Sequence, residues 1–420
     1  MAHVVTAFLR NRGRILLTRR SDAVGTYSGK WAGVSGYVEG DPNDAEDDAR
    51  RELEEEVGVT EATLANTAQP MHITDGEREW TVHAFMFDVN HRDIAPNEEL
   101  AAVEWVHAPV ICERDTVPEL WPTYRRVAPT LETVQTDDAH GSAWVSLRAL
   151  EVLRDAASDA ESWEVLVSFG RSLRDARPSM AAVTNRVNRV LADAAGDTEA
   201  LCQRAAAEID AAAEADDVAS AEAAQLLRTE GYDHVATLSR SGTVRAALED
   251  AGPSVLVAES RPGLEGVTVA ESLAKKGLET TLTTDAALPG LVADGAVDAV
   301  LVGADAVLSS GDVVNKVGSY PVALAAARAD VPVFAVCARD KIRGDDTVVG
   351  EEGGALYDGD LPITVSNPLF ELVPSDLADG VVTEEGRLDS DGVERVAAEH
   401  AELARWDEST SSGADAGGDG

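Results

Sequence analysis

Short apolar runs rich in β-branched residues recur through the second half of the chain, separated by stretches with a helical pattern. The runs cover residues 234–238, 254–258, 298–303, 331–337 and 362–366. Strands that are apolar along their whole length are buried on both faces, which is typical of a parallel sheet between two layers of helices. Residues 231–390 are therefore predicted to form a parallel α/β domain.

The rest of the chain divides into three segments. Residues 143–230 are Ala-rich with a helical pattern, and we expect a helical part that precedes the Rossmann-like sheet. The N-terminal segment has strand patterns at 3–9, 14–18, 80–89 and 101–107 and helix patterns at 45–57 and 118–134. The polar stretch 136–142 separates the two halves, so domains are predicted at 1–137 and 143–390. Residues 407–420 are predicted to be a disordered acidic tail.

The chain is strongly acidic, with 76 Asp and Glu against 35 Lys and Arg and a net charge of −41 over 420 residues. Acidic residues run through the whole chain, which favours adaptation to a salt-rich cytosol, as in a halophile, over a single acidic interaction surface. Direct binding to a nucleic acid backbone is not expected. Three widely spaced cysteines make a disulfide framework unexpected, and we find no signal or membrane-spanning segment. These features predict a cytoplasmic protein.

Three glutamates of the predicted helix at 45–57 have the spacing i, i+3 and i+4. They are Glu52, Glu55 and Glu56, and on a helix they share one face. Carboxylates this close repel one another unless a cation lies among them, and hard oxygen ligands suit Mg²⁺ or Mn²⁺. The spacing alone fits a solvated acidic helix face equally well.

The context of these glutamates resembles the Nudix box. A Gly-rich segment is followed by the run Arg51-Glu52-Leu53-Glu54-Glu55-Glu56-Val57-Gly58-Val59. The resemblance implies an α/β/α sandwich with a mixed sheet that hydrolyses nucleoside diphosphate derivatives with Mg²⁺ or Mn²⁺. It makes Glu52, Glu55 and Glu56 the metal-binding and catalytic carboxylates, with Glu39 and Glu104 as further candidate ligands.

Two more residues of the N-terminal site take roles by the same resemblance. Arg51 is expected to orient Glu52, and Gly36 to let the loop approach the phosphate. The spacer between Gly36 and Arg51 is about one residue longer than in the usual box, and Asp41 and Asn43 replace the expected loop glutamate. An altered loop could change the metal number or slow turnover.

Segments across residues 143–390 resemble a second family, the translation initiation factor 2B alpha, beta and delta subunits. That family includes the ribose-1,5-bisphosphate and methylthioribose-1-phosphate isomerases. In chain order the matching segments are 177–179, 237–241, 259–262 with 265–266, 302–305, 315–320 and 367–371. Several follow a predicted parallel strand directly, where open α/β sheets bind their ligands.

The second resemblance implies a pocket for a sugar phosphate or nucleotide. The candidate binding residues are Arg177, Ser241, Arg261, Asn315 and Lys316. Asp305 matches the catalytic aspartate of the isomerases, whereas Ser239 stands at the position of their cysteine. A serine hydroxyl is a far weaker acid than a thiol, so isomerisation is in doubt.

Three functional hypotheses follow. The first is a Nudix hydrolase fused to a domain that binds a sugar phosphate or nucleotide. The second is a regulatory partner of initiation factor 2 with a vestigial hydrolase, and the third is a bifunctional hydrolase and isomerase. A homo-oligomer, most simply a dimer, is expected by resemblance.

Overall fold

The computed structural model describes residues 2–160, 162–194, 196–353 and 356–406. The chain forms two compact units, one of Met1–Thr130 with Arg154–Asp159 and the other of Leu131–Leu153 with Ala160–Gly420. The predicted acidic tail at 407–420 lies outside the described residues. Within the described ranges, no helix has both the length and the apolar character needed to cross a membrane.

The first unit is built on one eight-stranded sheet. Its strands are β1 (Ala2–Asn11), β2 (Arg14–Arg20), β3 (Trp31–Ala32), β4 (Val34–Tyr37), β5 (Thr63–Thr67), β6 (Met71–Asp75), β7 (Arg78–Asp88) and β8 (Leu100–Val106). Its helices are α1 (Ala45–Val57), α2 (Val110–Glu113) and α3 (Leu120–Val127). Strands β1 and β7 are parallel, and every other pairing in this sheet is antiparallel. The expected mixed sheet is confirmed.

Helices pack on both faces of this sheet, as the sandwich prediction requires. Leu53 and Val57 of α1 join a buried apolar cluster with alternate residues of β1 and β7, such as Val5 and Phe85. The other face packs against α2 and α3. Gly58 ends α1 in the left-handed region at φ 72°, which a glycine adopts without steric cost.

The single helix predicted at 118–134 is wrong. Two helices occupy this region, α3 and α4 (Leu131–Thr136), with Ala128, Pro129 and Thr130 between them. Proline lacks an amide hydrogen and restricts the preceding residue to extended backbone. Ala128 is accordingly extended, with φ −63° and ψ 155°.

The second unit begins with helices, as the Ala-rich composition predicts. After α4 come α5 (Ser142–Asp159), α6 (Trp163–Arg174), α7 (Ala181–Asp193) and the long α8 (Thr198–Glu230). Gly231 ends α8 in the left-handed region at φ 73°.

A seven-stranded sheet follows, in the order β11-β10-β9-β12-β15-β17-β18. The elements of this part in chain order are β9 (His234–Thr237), α9 (Gly242–Ala251), β10 (Ser254–Ala258), α10 (Glu265–Lys275), β11 (Thr280–Thr283), α11 (Leu288–Ala293), β12 (Ala299–Val302), β13 (Ala306–Val307), β14 (Val313–Lys316), α12 (Ser319–Arg328), β15 (Val333–Val336), β16 (Phe370–Val373), β17 (Gly380–Thr383), β18 (Gly386–Leu388) and α13 (Ser390–Leu403). All pairings of the seven-stranded sheet are parallel except β17 with β18. The parallel α/β prediction is confirmed.

One predicted strand is wrong, and three strands of the seven-stranded sheet, β11, β17 and β18, were not predicted. Residues 362–366 form no strand, and Ile363 and Val365 are 54% and 41% exposed. Pro362 cannot donate a ladder hydrogen bond, and the run has no buried face. The sheet instead uses β11, a Thr-rich edge strand with little apolar signal, and β17.

Candidate functional site

Gly36 on β4 lies directly against the carboxylate of Glu52 on α1. A Cβ atom at this position would come within 2.0 Å of Glu52 Oε1, so a larger residue here would displace the carboxylate from its present position. Gly36 pairs with Val5 of β1, and α1 packs on the same face of the sheet through Leu53. The fold thus presses Glu52 onto the strand that precedes the loop.

Arg51 brings three carboxylates to one point. Its Nη1 atom lies 3.1 Å from Glu52 Oε1, 3.5 Å from Glu39 Oε1 and 3.7 Å from Glu55 Oε2. Its Nη2 atom donates to Asp48 Oδ1 at 2.8 Å. A positive charge therefore stands where the side chains of Glu39, Glu52 and Glu55 converge.

The two innermost glutamates are buried and carry shifted pKa values. Burial, followed by the charge of Glu52, raises the pKa of Glu56 from 4.5 to about 8. Burial also raises the pKa of Glu52, against the opposing effect of Arg51. Their exposed fractions are 4% for Glu56 and 9% for Glu52, whereas the Glu55 side chain is 58% exposed. Buried carboxylates without a full counter-charge are the groups that a divalent cation stabilises.

The donor set of this site fits a hard divalent cation in chemistry. Its ligands are carboxylate oxygens, and the Arg51 guanidinium shows that a cation is held among them. In the present side-chain positions, no group of three or more His, Cys, Asp or Glu side chains in the described ranges is arranged to hold a metal. Arg51 occupies the convergence point, so Glu55 and Glu56 would have to turn toward the ion.

The remaining N-terminal candidates separate into two groups. Glu39 belongs to the cluster through Arg51, but Glu104 on β8 pairs with Arg114 at 2.8 Å. Asp41 caps the short 3₁₀ turn at Pro42–Asp44 by accepting from the Asn43 amide. The acidic loop thus ends in a capped turn that leads into α1.

Asp48 also contacts this cluster and was not among the predicted site residues. It holds Arg51 and accepts from the backbone amide of Glu39 at 3.4 Å, and its hydrogen bond to Arg51 raises the pKa of the guanidinium. The i, i+3 spacing of Asp48 and Arg51 was the signal available in the sequence.

A cavity of about 290 Å³ in the second unit lies beyond the carboxyl ends of β9 and β12. Four predicted residues line it, namely Ser239, Ser241, Asp305 and Asn315. A Cβ at Gly303 would lie 2.8 Å from Ser241 Cβ, so glycine permits the two strand ends to approach. Ser241 also caps α9 by accepting from the Val244 amide. The structure therefore places these residues beyond the carboxyl ends of the strands, where the sequence predicted them.

Ser239 and Asp305 are held in this cavity by their surroundings. Ser239 has φ 66° and donates its amide hydrogen to Ser260 Oγ at 2.6 Å. Burial raises the pKa of Asp305, while the nearby Lys341 charge and the Ser142 hydroxyl lower it. The Ser142 hydroxyl completes no hydrogen bond of normal geometry in the described part of the chain. Cys337 is fully buried, and burial raises its pKa to about 12, so it supplies no thiolate.

Three predicted binding residues lie in other contacts. Lys316 pairs with Glu265 at 2.5 Å, and Arg261, with a 66% exposed side chain, lies 3.6 Å from Glu259. Arg177 donates to the Asp137 carbonyl at 2.7 Å. None of the three lines the cavity.

The cationic side chains that do line the cavity were missed by sequence reasoning. They are Arg240, Arg245 and Lys341. Arg240 and Arg245 flank the cap of α9, where basic residues after a strand gave a weak signal. Lys341 comes from a distant 3₁₀ turn, and no local pattern links it to Asp305. The N-terminus of α5 at Ser142 also reaches the cavity.

Both domain resemblances are confirmed by comparison with known families. The NUDIX domain model matches residues 1–131, and the Initiation factor 2 subunit family model matches residues 138–390. Nudix domains are hydrolase domains, so the first match agrees with the expected enzyme class.

Curated proteins with sequence similarity to this chain include sugar-phosphate isomerases. A ribose 1,5-bisphosphate isomerase from Haloferax volcanii is 30% identical in an alignment of 295 residues that covers 65% of this chain and 90% of that protein. A probable bifunctional methylthioribose-1-phosphate isomerase/methylthioribulose-1-phosphate dehydratase from Nocardia farcinica is 42% identical over 34% of this chain. The chain spans 27% of that protein and 47% of a Pseudomonas syringae methylthioribose-1-phosphate isomerase.

Solved structures agree in fold. Translation initiation factor eIF-2B from Pyrococcus horikoshii OT3 superposes with a TM-score of 0.54 at 24% identity, over 61% of this chain and 94% of that one. The 5-methylthioribose 1-phosphate isomerase of the same organism gives 0.50 at 20% identity, over 73% and 90%. This likeness supports the α/β fold.

Proposed function

Because the chain belongs to the Initiation factor 2 subunit family and carries a Nudix domain before it, we propose a metal-dependent pyrophosphohydrolase fused to a ligand-binding domain. The first unit hydrolyses a nucleoside diphosphate derivative with Mg²⁺ or Mn²⁺. The second binds a sugar phosphate or nucleotide. The protein acts in a salt-rich cytoplasm and associates as a homo-oligomer.

One observation carries the hydrolase proposal. Two buried glutamates with raised pKa, Glu52 and Glu56, lie on the helix face where Gly36 makes room for the Glu52 carboxylate and where Arg51 gathers further carboxylates. A purely structural acidic helix face would be solvated, because burying an uncompensated carboxylate is costly. The arrangement supports a cation-binding role.

The residues take distinct parts in this proposal. Glu52, Glu55 and Glu56 would hold a divalent cation, which neutralises diphosphate charge and acidifies a bound water. Arg51 orients Glu52 while Asp48 orients Arg51. Gly36 leaves the space above β4 in which the Glu52 carboxylate lies, and would let the adjoining loop approach the phosphate.

The test is hydrolysis of nucleoside diphosphate compounds in molar KCl with and without Mg²⁺. The proposal expects metal-dependent release of a monophosphate, reduced about 100-fold or more in Glu52→Gln and Glu56→Gln. Glu54→Gln is the matched control, since Glu54 is an exposed residue of the same helix. Equal activity in all three variants would rule out the assigned carboxylates.

The proposal for the second unit is supported by its cavity. Three cationic side chains and the N-termini of α5 and α9 surround a space next to Asp305, and helix N-termini with basic residues favour phosphate. Ser239 in place of a cysteine favours binding without isomerisation. Isothermal titration of ribose 5-phosphate and AMP tests this, and Arg240→Ala with Lys341→Ala should weaken binding at least tenfold.

Two outcomes would favour the other functions. Isomerisation of ribose 1,5-bisphosphate that disappears in Asp305→Asn would favour the bifunctional enzyme, and the Haloferax volcanii relative makes that substrate the first to try. Co-purification with initiation factor 2 at high salt, without hydrolysis, would favour the regulatory function.

A further inference from the structure

Four polar side chains interrupt the apolar face on which α1 packs. They form the histidine patch, which consists of His3 on β1, His72 on β6, and Thr81 and His83 on β7. By strand alternation, His3, Thr81 and His83 project to the same face as Val5 and Phe85, which pack against α1. Thr81 and His83 are only 3% and 7% exposed. Buried polar groups on an otherwise apolar face call for an explanation.

The patch is hydrogen-bonded internally. His3 Nδ1 and His83 Nε2 are 3.0 Å apart, and Thr81 Oγ1 and His72 Nδ1 are 3.2 Å apart. The second ring nitrogen of each histidine, namely Nε2 of His3, Nε2 of His72 and Nδ1 of His83, has no hydrogen-bond partner in the described part of the chain. Three hydrogen-bonding nitrogens therefore remain for a ligand.

The hydrogen bond between His3 and His83 links the role of the outer His3 nitrogen to the tautomers of the pair. If His83 Nε2 donates, the outer nitrogen of His3 is a donor, and if His3 Nδ1 donates, it is an acceptor. Burial and the neighbouring His3 lower the pKa of His83, which favours the neutral imidazole at that position. Neutral imidazoles recognise an uncharged polar ring better than a phosphate.

The patch lies at a suitable distance from the diphosphate site. Val5 pairs with Gly36 on one side and with His83 on the other, so two strand spacings, about 10 Å, separate Gly36 from His83. A ribose and a base extend over a comparable distance beyond a diphosphate.

We propose that the histidine patch binds the nucleobase of the diphosphate substrate, with His3 and His72 contacting the base and His83 positioning His3. This inference rests on the proposed hydrolase function. It assigns a binding site to the nucleobase, which the residues of the Nudix box do not contact. The substrate is then a nucleoside diphosphate derivative selected by its base.

The test compares the adenosine, guanosine, cytidine and uridine diphosphate derivatives of glucose with ribose 5-diphosphate, which lacks a base. For the preferred nucleotide, His3→Leu and His72→Leu should each raise KM about threefold to tenfold, the effect of one lost neutral hydrogen bond. The kcat should stay near that of the wild type. Neither substitution should change KM for ribose 5-diphosphate.

A positioning role for His83 has its own readout. His83→Leu should raise KM as His3→Leu does, and His83→Gln should restore it, because an amide can still hold the His3 ring. Exposed His91 provides the control substitution His91→Leu, and thermal unfolding checks that each variant is folded. If His83→Leu does not fold, the two contacting variants still decide the outcome.

The outcomes separate this inference from the hydrolase proposal. Equal KM values for all five compounds, or equal changes with and without a base, would overturn the base-binding role alone. Absence of metal-dependent hydrolysis of any compound by the wild type would overturn both proposals.

Discussion

Replacing Glu56 by glutamine should stabilise the metal-free first unit while removing its activity. The folded pKa of about 8 lies above the ordinary value of 4.5, so folded Glu56 keeps a proton that the unfolded chain has lost between these values. Its contribution to stability is full below pH 4.5 and is lost as the pH rises through 8. At about 1.4 kcal/mol per unit of pKa shift, on the order of 3 kcal/mol disappears between pH 5 and pH 8.

The assay is calorimetric unfolding in molar KCl with a chelator, at several pH values from 5 to 8. The wild-type unit should lose stability steadily, and Glu52, whose pKa is also raised, adds to the slope with the same sign. Glu56→Gln should flatten the slope and be more stable than the wild type at pH 8, while Glu54→Gln follows the wild type. Excess Mg²⁺ should restore the wild type at pH 8, because the ion replaces the proton.

Two results would refute this reasoning. A wild-type unit whose stability does not fall between pH 5 and pH 8 would mean that Glu56 is ionised and fully compensated. A Glu56→Gln variant less stable than the wild type would mean that the carboxylate stabilises the metal-free fold, whereas the reasoning here requires the ionised carboxylate to destabilise it.

Further predictions concern the glycine strand, the cavity and the charge. Gly36→Ala should displace the Glu52 carboxylate, which a new Cβ would meet at 2.0 Å. The rate of hydrolysis should fall about tenfold or more, with little change in melting temperature. Gly40→Ala is the control, because Gly40 has open space around it. Ser239→Cys should introduce isomerisation of ribose 1,5-bisphosphate that Asp305→Asn removes, measured as product formed by enzyme with and without the second change. Raising KCl from 0.1 M to 1 M should raise the melting temperature, because the Debye length falls from about 10 Å to about 3 Å and screens a net charge of −41; an unchanged melting temperature would count against adaptation to salt.

Elements with strong local signals were predictable from the sequence. The β1–β2 hairpin, α1 with its Gly58 terminus, and the buried strands β9, β10, β12 and β15 follow directly from turn residues and apolar runs. Glu52 and Glu56 also lie together on the buried side of α1. In each of these cases, one short stretch of sequence is enough to determine the secondary structure.

The rest depended on contacts between distant segments. Lys341 affects Asp305 only because the fold brings their segments together, and Arg261 follows a strand yet does not line the cavity. The apolar residues at 362–366 pair with no strand and remain outside the sheet. The Thr-rich segment β11, in contrast, forms a strand because it pairs with β10 at the edge of the sheet. Strand pairing and burial decide such cases, and neither is a local property of the sequence.

The central claim is that Glu52, Glu55 and Glu56 together hold a divalent cation. Its most direct test is Mn²⁺ binding to the full chain in molar KCl at pH 8, followed by electron paramagnetic resonance of the free ion. The account predicts a saturable site in the wild type that is lost in the triple variant Glu52→Gln, Glu55→Gln and Glu56→Gln. Identical binding by the two proteins would contradict it.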